Sequence, residues 1–312
     1  MASTLFDSGF SNWTPDRLSD LTGKTYLITG GNAGIGFQAA RMLAEKGGRI
    51  IIAVRNLQKG ETALAALKIK APGDHELLQL DLASLASVRT AADEVRSRFG
   101  SIDALINNAG IMQTPQTMTE DGFDLQLGTN HLGHFLFAGL LFDIIDKETG
   151  RIAIVSSIAH KYGTIHFDDL MLTKSYDPTK AYTQSKLANL LFALELDRKL
   201  KTANSNVMAI ACHPGYSNTQ LQSTGPKGFF NLLYKVLNPL LAQGADEGAI
   251  PTVLAAAGVE AKAGGYYGPK SMREARGPVS DAIVAGRARD EDVAKRLWEE
   301  SEKLVSFQWD LN

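Results

Sequence analysis

Cysteine is almost missing from this chain: Cys212 stands alone among 312 residues, which excludes an internal disulfide. It lies in the apolar run Val207 to Cys212, where a thiol reads as a small core residue, and a reducing, cytoplasmic setting is expected. Charge of one sign is lacking too. Lysine and arginine total 32 against 34 acids, a net charge of −2 with no basic block, so neither nucleic acid nor an anionic membrane is expected as a partner. The most apolar stretch, Leu132 to Ile145, is interrupted by Gly133, His134, Gly139 and Asp143 and falls short of the roughly 20 residues of a bilayer span. Residues Met1 to Asp20 hold Asp7, Asp16, Arg17 and Asp20 rather than an apolar core, so no secretory leader is expected. The six histidines (His75, His131, His134, His160, His166 and His213) find no cysteine or carboxylate to complete a zinc set, and no metal is expected. His131 and His134, three apart, read as packing or capping groups. No repeat and no low-complexity tract is present.

What the chain has is an ordinary globular composition, 44% hydrophobic and 21% charged, enough for one large core. Apolar runs at Thr25–Thr29, Arg49–Val54, Glu76–Leu80, Ala104–Asn107, Arg151–Ser157, Val207–Cys212 and a short Gly265–Tyr267 alternate with helical segments. This alternation predicts an α/β fold, a single Rossmann-type doubly wound parallel sheet with helices on both faces, over residues 21–312 after an N-terminal extension, 1–20. Leu187, Leu190, Leu191 and Leu194 form one apolar stripe of a core helix. In such sheets ligands sit beyond the carboxyl ends of the strands, where Gly30, Arg55, Asp81, Asn108, Ser157 and Pro214 all fall.

The first strand runs directly into Gly30-Gly31-Asn32-Ala33-Gly34-Ile35-Gly36 and then into a helix from Phe37 to Lys46. Glycines let the backbone approach a pyrophosphate, and the helix start offers unpaired N–H groups, so an anion belongs there. The second strand ends in Arg55-Asn56 with no acid beside them. Where NAD-binding units place an Asp or Glu for the adenine ribose, a guanidinium instead suits a 2′-phosphate, which favours NADP(H) over NAD. Farther on, Tyr182 and Lys186 lie one helical turn apart. A phenol titrates near pH ~10 alone, and an adjacent ammonium is expected to pull it toward neutrality and make it a proton donor and acceptor.

With these motifs in place the chain resembles the short-chain dehydrogenase/reductase family over nearly its whole length. Thr29 to Gly36 resembles the family's cofactor loop, Asp81-Leu82 its adenine-contacting pair, and Asn107-Asn108-Ala109-Gly110 its motif after the fourth strand. Asn130, Ser157, Tyr182 and Lys186 match its catalytic tetrad, and His213-Pro214-Gly215 with Thr219 its nicotinamide-positioning segment. The resemblance thus implies cofactor contacts at Gly30, Asn32, Ala33, Gly34, Ile35, Gly36, Arg55, Asn56, Asp81, Leu82, Asn108, Ala109, Gly110, Tyr182, Lys186, Pro214, Gly215 and Thr219. Asn130 to Phe135 and Ser185 to Phe192, with 25 positions between Ser157 and Tyr182, are most similar to the retinol dehydrogenase and WW-domain oxidoreductase branch.

The resemblance implies a carbonyl–alcohol oxidoreductase acting on a small apolar substrate. Tyr182 would exchange the proton, Lys186 would depress the tyrosine and hold the nicotinamide ribose, Ser157 (with Ser156 as competitor) would hold the substrate oxygen, and Asn130 would order a water. Asn130 reads equally as a buried packing amide, and Asp81 equally as the N-cap of a helix over Ser84–Phe99. Residues 220–264, with Phe229 to Tyr234, Val236, Leu237, Leu240 and Leu241, suggest either a lid or an ordinary amphipathic helix. Asp290 to Leu304 reads as a docked structural helix. A nucleotide-binding sensor without turnover and a sugar-nucleotide epimerase are the alternatives to a reductase. A monomer and a homodimer joined through the helices of Asn130 and Tyr182 both stay open.

Overall fold

The computed structural model describes residues 2–216 and 244–311. Strands β1 (Thr25–Thr29), β2 (Arg49–Val54), β3 (Glu76–Gln79), β4 (Ala104–Asn107), β5 (Arg151–Val155), β6 (Met208–Cys212), β7 (Tyr266–Ser271) and β8 (Arg276–Asp281) form one sheet in the order β3-β2-β1-β4-β5-β6-β7-β8. Every neighbouring pair is parallel except β7 and β8. The strand order reverses between β1 and β4, which opens the ligand crevice of a doubly wound sheet.

The strands are apolar on both faces, and alternate residues feed two cores. Ile28, Ile50, Ile52, Ile106, Val155 and Ile210 pack under α1 (Gly34–Ala44), α2 (Leu57–Lys70) and the late helix Ala245–Ala257. Leu27, Ile51, Leu105, Ile152, Ile154 and Ala211 pack under α3 (Leu85–Arg98), α4 (Gly133–Leu141), α5 (Pro178–Thr202) and the C-terminal helix Glu291–Val305. We label those two later helices α6 and α7 in chain order. Ahead of α4 the chain makes a short turn, Leu125–Leu127, and a widened π-type turn, Gly128–Leu132. Asp177 caps α5, accepting the Lys180 amide at 2.7 Å, and Pro178 occupies the first turn, where its missing N–H costs nothing. Among the described residues no helix is long and apolar enough to cross a membrane.

Two elements depart from the sequence reading. β8 reads as Arg-Gly-Pro-Val-Ser-Asp and buries only Val279, so it gave no strand signal; it forms because antiparallel pairing with β7 satisfies its backbone. Its outer edge is covered in turn by the N-terminal arm, which bridges Trp13 to Val279 and Ser3 to Val284. Trp13 is buried and its indole donates to Glu260 at 2.8 Å, so the extension is docked on the domain. The segment expected to be a lid is divided. Residues 245–257 are the core helix α6, with Ala249, Val253 and Leu254 fully buried, which corrects the expectation there. Thr219 and the apolar run Phe229 to Leu241 lie outside the described residues.

Helix α7 docks as the sequence suggests, laying Leu297 and Trp298 on α4 and α5. Phe135, Phe192, Trp298 and Trp309 make one aromatic cluster, with Phe135 5.0 Å from Trp298 and 5.6 Å from Trp309 by ring centroids. Truncating the fully buried Phe135 to Ala should therefore cost about 3–5 kcal/mol, whereas Asp177→Ala, which removes only a helix cap, should cost about 1 kcal/mol. Urea unfolding of the two variants measures both, and equal losses would contradict this ranking.

Candidate active site

Gly30 carries a positive φ of 67° and donates its N–H to Ala53 at 2.8 Å, turning the chain sharply off β1. A Cβ on Gly36 would meet the Gly30 carbonyl at 2.4 Å and the Asn108 amide at 2.5 Å, so no other residue fits. No side chain caps α1 at Ala33, which leaves its first amides open toward the loop Gly30–Gly36. This is a cradle shaped for an anion, and it fits the pyrophosphate of a dinucleotide. Arg55 is exposed beyond β2, while Asn56 caps α2 by accepting the Lys59 amide at 2.9 Å. Asp81 accepts the Ala83 amide at 3.0 Å, and the N-cap of α3 is Ser84, which settles the Asp81 cap reading against it. The Leu82 side chain is buried in the core and its carbonyl packs against Gly133 of α4.

The loop after β4 is held by Thr29. Its Oγ1 accepts the amides of Asn108 and Ala109, both at 2.9 Å, and the Asn108 side chain donates to the Thr29 carbonyl at 2.8 Å. Gly110 follows, and a Cβ there would stand 3.3 Å from Asn130 Oδ1 and 3.5 Å from Lys186 Nζ. Three hydrogen bonds hold the Asn130 amide: Oδ1 takes the Ile111 N–H at 2.8 Å, and Nδ2 donates to the Ile111 carbonyl and to Ser185 Oγ, both at 2.9 Å. The side chain is thus a clamp between the Gly110 loop and α5, matching the packing-amide reading.

Helix α5 brings Tyr182 and Lys186 against the end of β5. Ser157 lies beside the Tyr182 phenol and favours its ionised form, while its Oγ accepts the Ala159 amide at 3.1 Å. Ser156 is buried and donates to the Lys186 carbonyl at 2.7 Å, which removes it as the competing serine. Lys186 is 5% exposed, and its Nζ donates to Val155 O at 3.2 Å, leaving two of three N–H groups for other partners. Burial pushes its pKa down to about 8. Desolvation also raises the Tyr182 phenol, opposed only by the neighbouring Ser157. The expected pull of Lys186 on the phenol is therefore not what dominates here; the ammonium lies 5.9 Å from the ring centroid and is itself poorly solvated.

Several supporting residues gave no signal beyond their residue type. His160 Nδ1 lies 2.7 Å from the Ser157 carbonyl, and its Nε2 receives the Ala285 amide at 3.2 Å. Glu274 is buried in a turn of three left-handed residues, Met272 to Glu274, and its carboxylate pairs with Lys161 and accepts the Ile283 amide at 2.5 Å. The next carbonyl, Ala275 O, accepts the Tyr216 amide at 2.7 Å and so anchors the segment of Pro214 and Gly215 beyond β6. Among the described residues no three His, Cys, Asp or Glu side chains could share a metal ion.

Residues 24–228 match the sequence profile of the short chain dehydrogenase family. The chain belongs to that family. It is 41% identical to human retinol dehydrogenase 13 over 295 residues, covering 92% of this chain and 86% of that one. With human retinol dehydrogenase 14 it shares 38% over 306 residues, covering 91% and 87%. A crystal structure of an uncharacterized Mycobacterium paratuberculosis protein superposes with a TM-score of 0.81 at 38% identity, over 96% of this chain and all of that one. The NADPH-dependent 3-quinuclidinone reductase of Rhodotorula rubra shares the fold, with a TM-score of 0.63 at 22% identity over 81% and 92%. This chain is a retinol dehydrogenase-like oxidoreductase of the short-chain family.

Burial sets how this dehydrogenase responds to pH. It lowers the imidazole pKa values to about 4 for His131 and His160 and about 3 for His134 and His213. Unfolded histidines take protons near pH 6.5, so below that pH the unfolded state binds more protons and stability falls, by about 1.4 kcal/mol per histidine per pH unit. Lys186 acts at the other end: with its folded value about 8, below the ordinary 10.5, stability rises as pH climbs between those values. Urea midpoints should accordingly drop steeply from pH 7 to pH 5. Equal midpoints at the two would show that the histidines are not buried neutral.

Proposed function

We propose that this dehydrogenase interconverts an apolar ketone or aldehyde with its alcohol, using NADP(H), with Tyr182 as proton donor and acceptor. The observation that carries this reading is the convergence of Ser157, the Tyr182 phenol and the buried ammonium of Lys186 at the end of β5. A protein that only binds a nucleotide has no use for a half-buried phenol set between a hydroxyl and a buried cation. The glycine cradle and the open amides of α1 support a dinucleotide, and Arg55, exposed with no acid at its strand end, supports a 2′-phosphate.

A nicotinamide, when bound, supplies or takes the hydride. This chain's residues handle the rest. In reduction the Tyr182 hydroxyl gives its proton to the carbonyl oxygen, and Ser157 Oγ–H holds that oxygen as negative charge grows on it. Burial keeps the phenol protonated at neutral pH, the state a proton donor to a carbonyl needs. Lys186, fixed on Val155 O, keeps two further N–H groups that would serve the ribose hydroxyls of a bound cofactor and steady the tyrosine oxygen. Gly110 has no side chain to intrude between Asn130 and Lys186, which keeps that floor open.

The test is oxidation of NADPH or NADH against a panel of apolar aldehydes and ketones that includes retinaldehyde, in view of the relatives' names. Tyr182→Phe should lose about 10²–10⁴-fold in kcat while still binding NADPH. Arg55→Ala should raise KM for NADPH by roughly 10–100-fold and leave KM for NADH unchanged, as expected for loss of a charge-assisted hydrogen bond. Tight NADPH binding with no turnover on any substrate, and a Tyr182→Phe variant that behaves as the parent, would favour a sensor instead.

A further inference from the structure

His134 stands one helical turn after Asn130, 1% exposed, and touches neither the glycine loop nor Lys186 directly by hydrogen bond. Its role follows from counting lone pairs. Thr29 Oγ1 accepts two backbone amides, from Asn108 and Ala109, which fills both of its acceptor positions. Its one hydrogen must point elsewhere. His134 Nε2 lies 2.8 Å away, nearer than the other acceptor, Ile106 O, at 3.3 Å. An Nε2 that accepts leaves the ring hydrogen on Nδ1, and Nδ1 lies 3.0 Å from the Asn130 carbonyl oxygen, to which it donates.

The result is a directed chain: amides of Asn108 and Ala109 to the Thr29 hydroxyl, the hydroxyl to His134, and His134 to the main chain of Asn130. One end is the junction from which the cofactor cradle and the Gly110 loop both depart. The other end is the residue whose side chain clamps Ile111 and Ser185, next to Lys186. Asn130 lies inside the π-type turn Gly128–Leu132, where the regular i to i−4 ladder is interrupted and carbonyl orientation is less constrained. A side-chain donor placed there fixes what the helix geometry leaves loose.

We propose that His134 is a positioning residue: by holding the Asn130 peptide from the Thr29 hydroxyl, it sets the geometry of Lys186 and couples the cofactor cradle to the proton-transferring pair. His160 offers a parallel built from different atoms. Its Nε2 faces the Ala285 N–H, which can only donate, so its Nδ1 likewise donates, here to the carbonyl of Ser157. Two residues of the tetrad thus have their main chain held by an Nδ1–H imidazole.

This inference rests on the reductase reading for its kinetic arm, so the experiment includes arms that need no turnover. In the full-length protein labelled with ¹⁵N-histidine, His134, assigned by its loss in His134→Leu, should show the neutral Nδ1–H tautomer from pH 5.5 to 8. An Nε2–H tautomer or an imidazolium would overturn the chain of bonds. In protein labelled at the lysine side chains, the Lys186 titration should move by about half a pH unit or more in His134→Leu and return in His134→Asn, whose amide N–H can replace Nδ1. An unmoved Lys186 in a folded His134→Leu would overturn the positioning role. If turnover is found, His134→Leu should lower kcat roughly 10–100-fold with the NADPH Kd within about threefold, and His134→Asn should recover most of it. An unchanged kcat and pH profile would sink the proposal while leaving the reductase reading intact. Absence of turnover in the parent protein would sink that reading and leave the two spectroscopic arms to decide this one.

Discussion

A parallel sheet ends all its strands at one edge, and the backbone groups there have no further strand to pair with. In this chain the whole candidate site is arranged by how those terminal groups are satisfied. Val155 O, at the end of β5, accepts both Lys186 Nζ and Asn189 Nδ2 at 3.2 Å. Thr29, at the end of β1, accepts through its carbonyl and its hydroxyl from Asn108 and Ala109, and Ser157, just past β5, gives its carbonyl to His160. Each of these bonds neutralises an edge group and, in doing so, aims a side chain or loop into the crevice. Structural satisfaction and site assembly are here the same set of bonds.

The same edge explains the electrostatics. Tyr182 is half-buried and Lys186 buried on α5 against β5, and desolvation outweighs their mutual attraction and moves both toward their neutral forms. A surface pair at the same spacing would behave in the opposite way, with the ammonium favouring the phenolate. The one-turn spacing is therefore a statement about reach, and burial decides the proton affinities.

Much of the fold was legible because the strands β1, β2, β4, β5 and β6 are apolar on both faces and separated by helical periods, a pattern few other architectures produce. β8 was not, because an edge strand that buries one valine has no hydrophobic pattern to read. Residues 245–257 could not be divided between a lid and a core helix from sequence, since alanine-rich helices with little amphipathic contrast look alike whether they cover a pocket or fill a core. Within the site, residue identities were legible and their partners were not. Nothing in the sequence tells Ser84 from Asp81 as the cap of α3, or shows that the Asn130 amide is held by Ile111 and Ser185. Histidines are the extreme case: His131 and His134 read only as packing or capping groups and His160 carried no reading of its own, since a tautomer depends on tertiary partners far apart in the chain.

Those partners also bound the conditions under which the site can hold together. Below about pH 6.5 the unfolded chain gains protons that buried His134 and His160 resist, so acid pulls against the very groups that hold the Asn130 and Ser157 carbonyls. Above about pH 8 Lys186 loses the charge that would attract ribose hydroxyls and steady the tyrosine oxygen. In the folded protein the histidines stay neutral donors well below pH 6.5, where acid costs stability rather than the bonds themselves, and the lysine is a cation up to about pH 8; together these are the states the hydrogen-bond directions require. The window is set by the buried bases around Tyr182 rather than by the phenol, and any substitution that admits water to them will move its edges first.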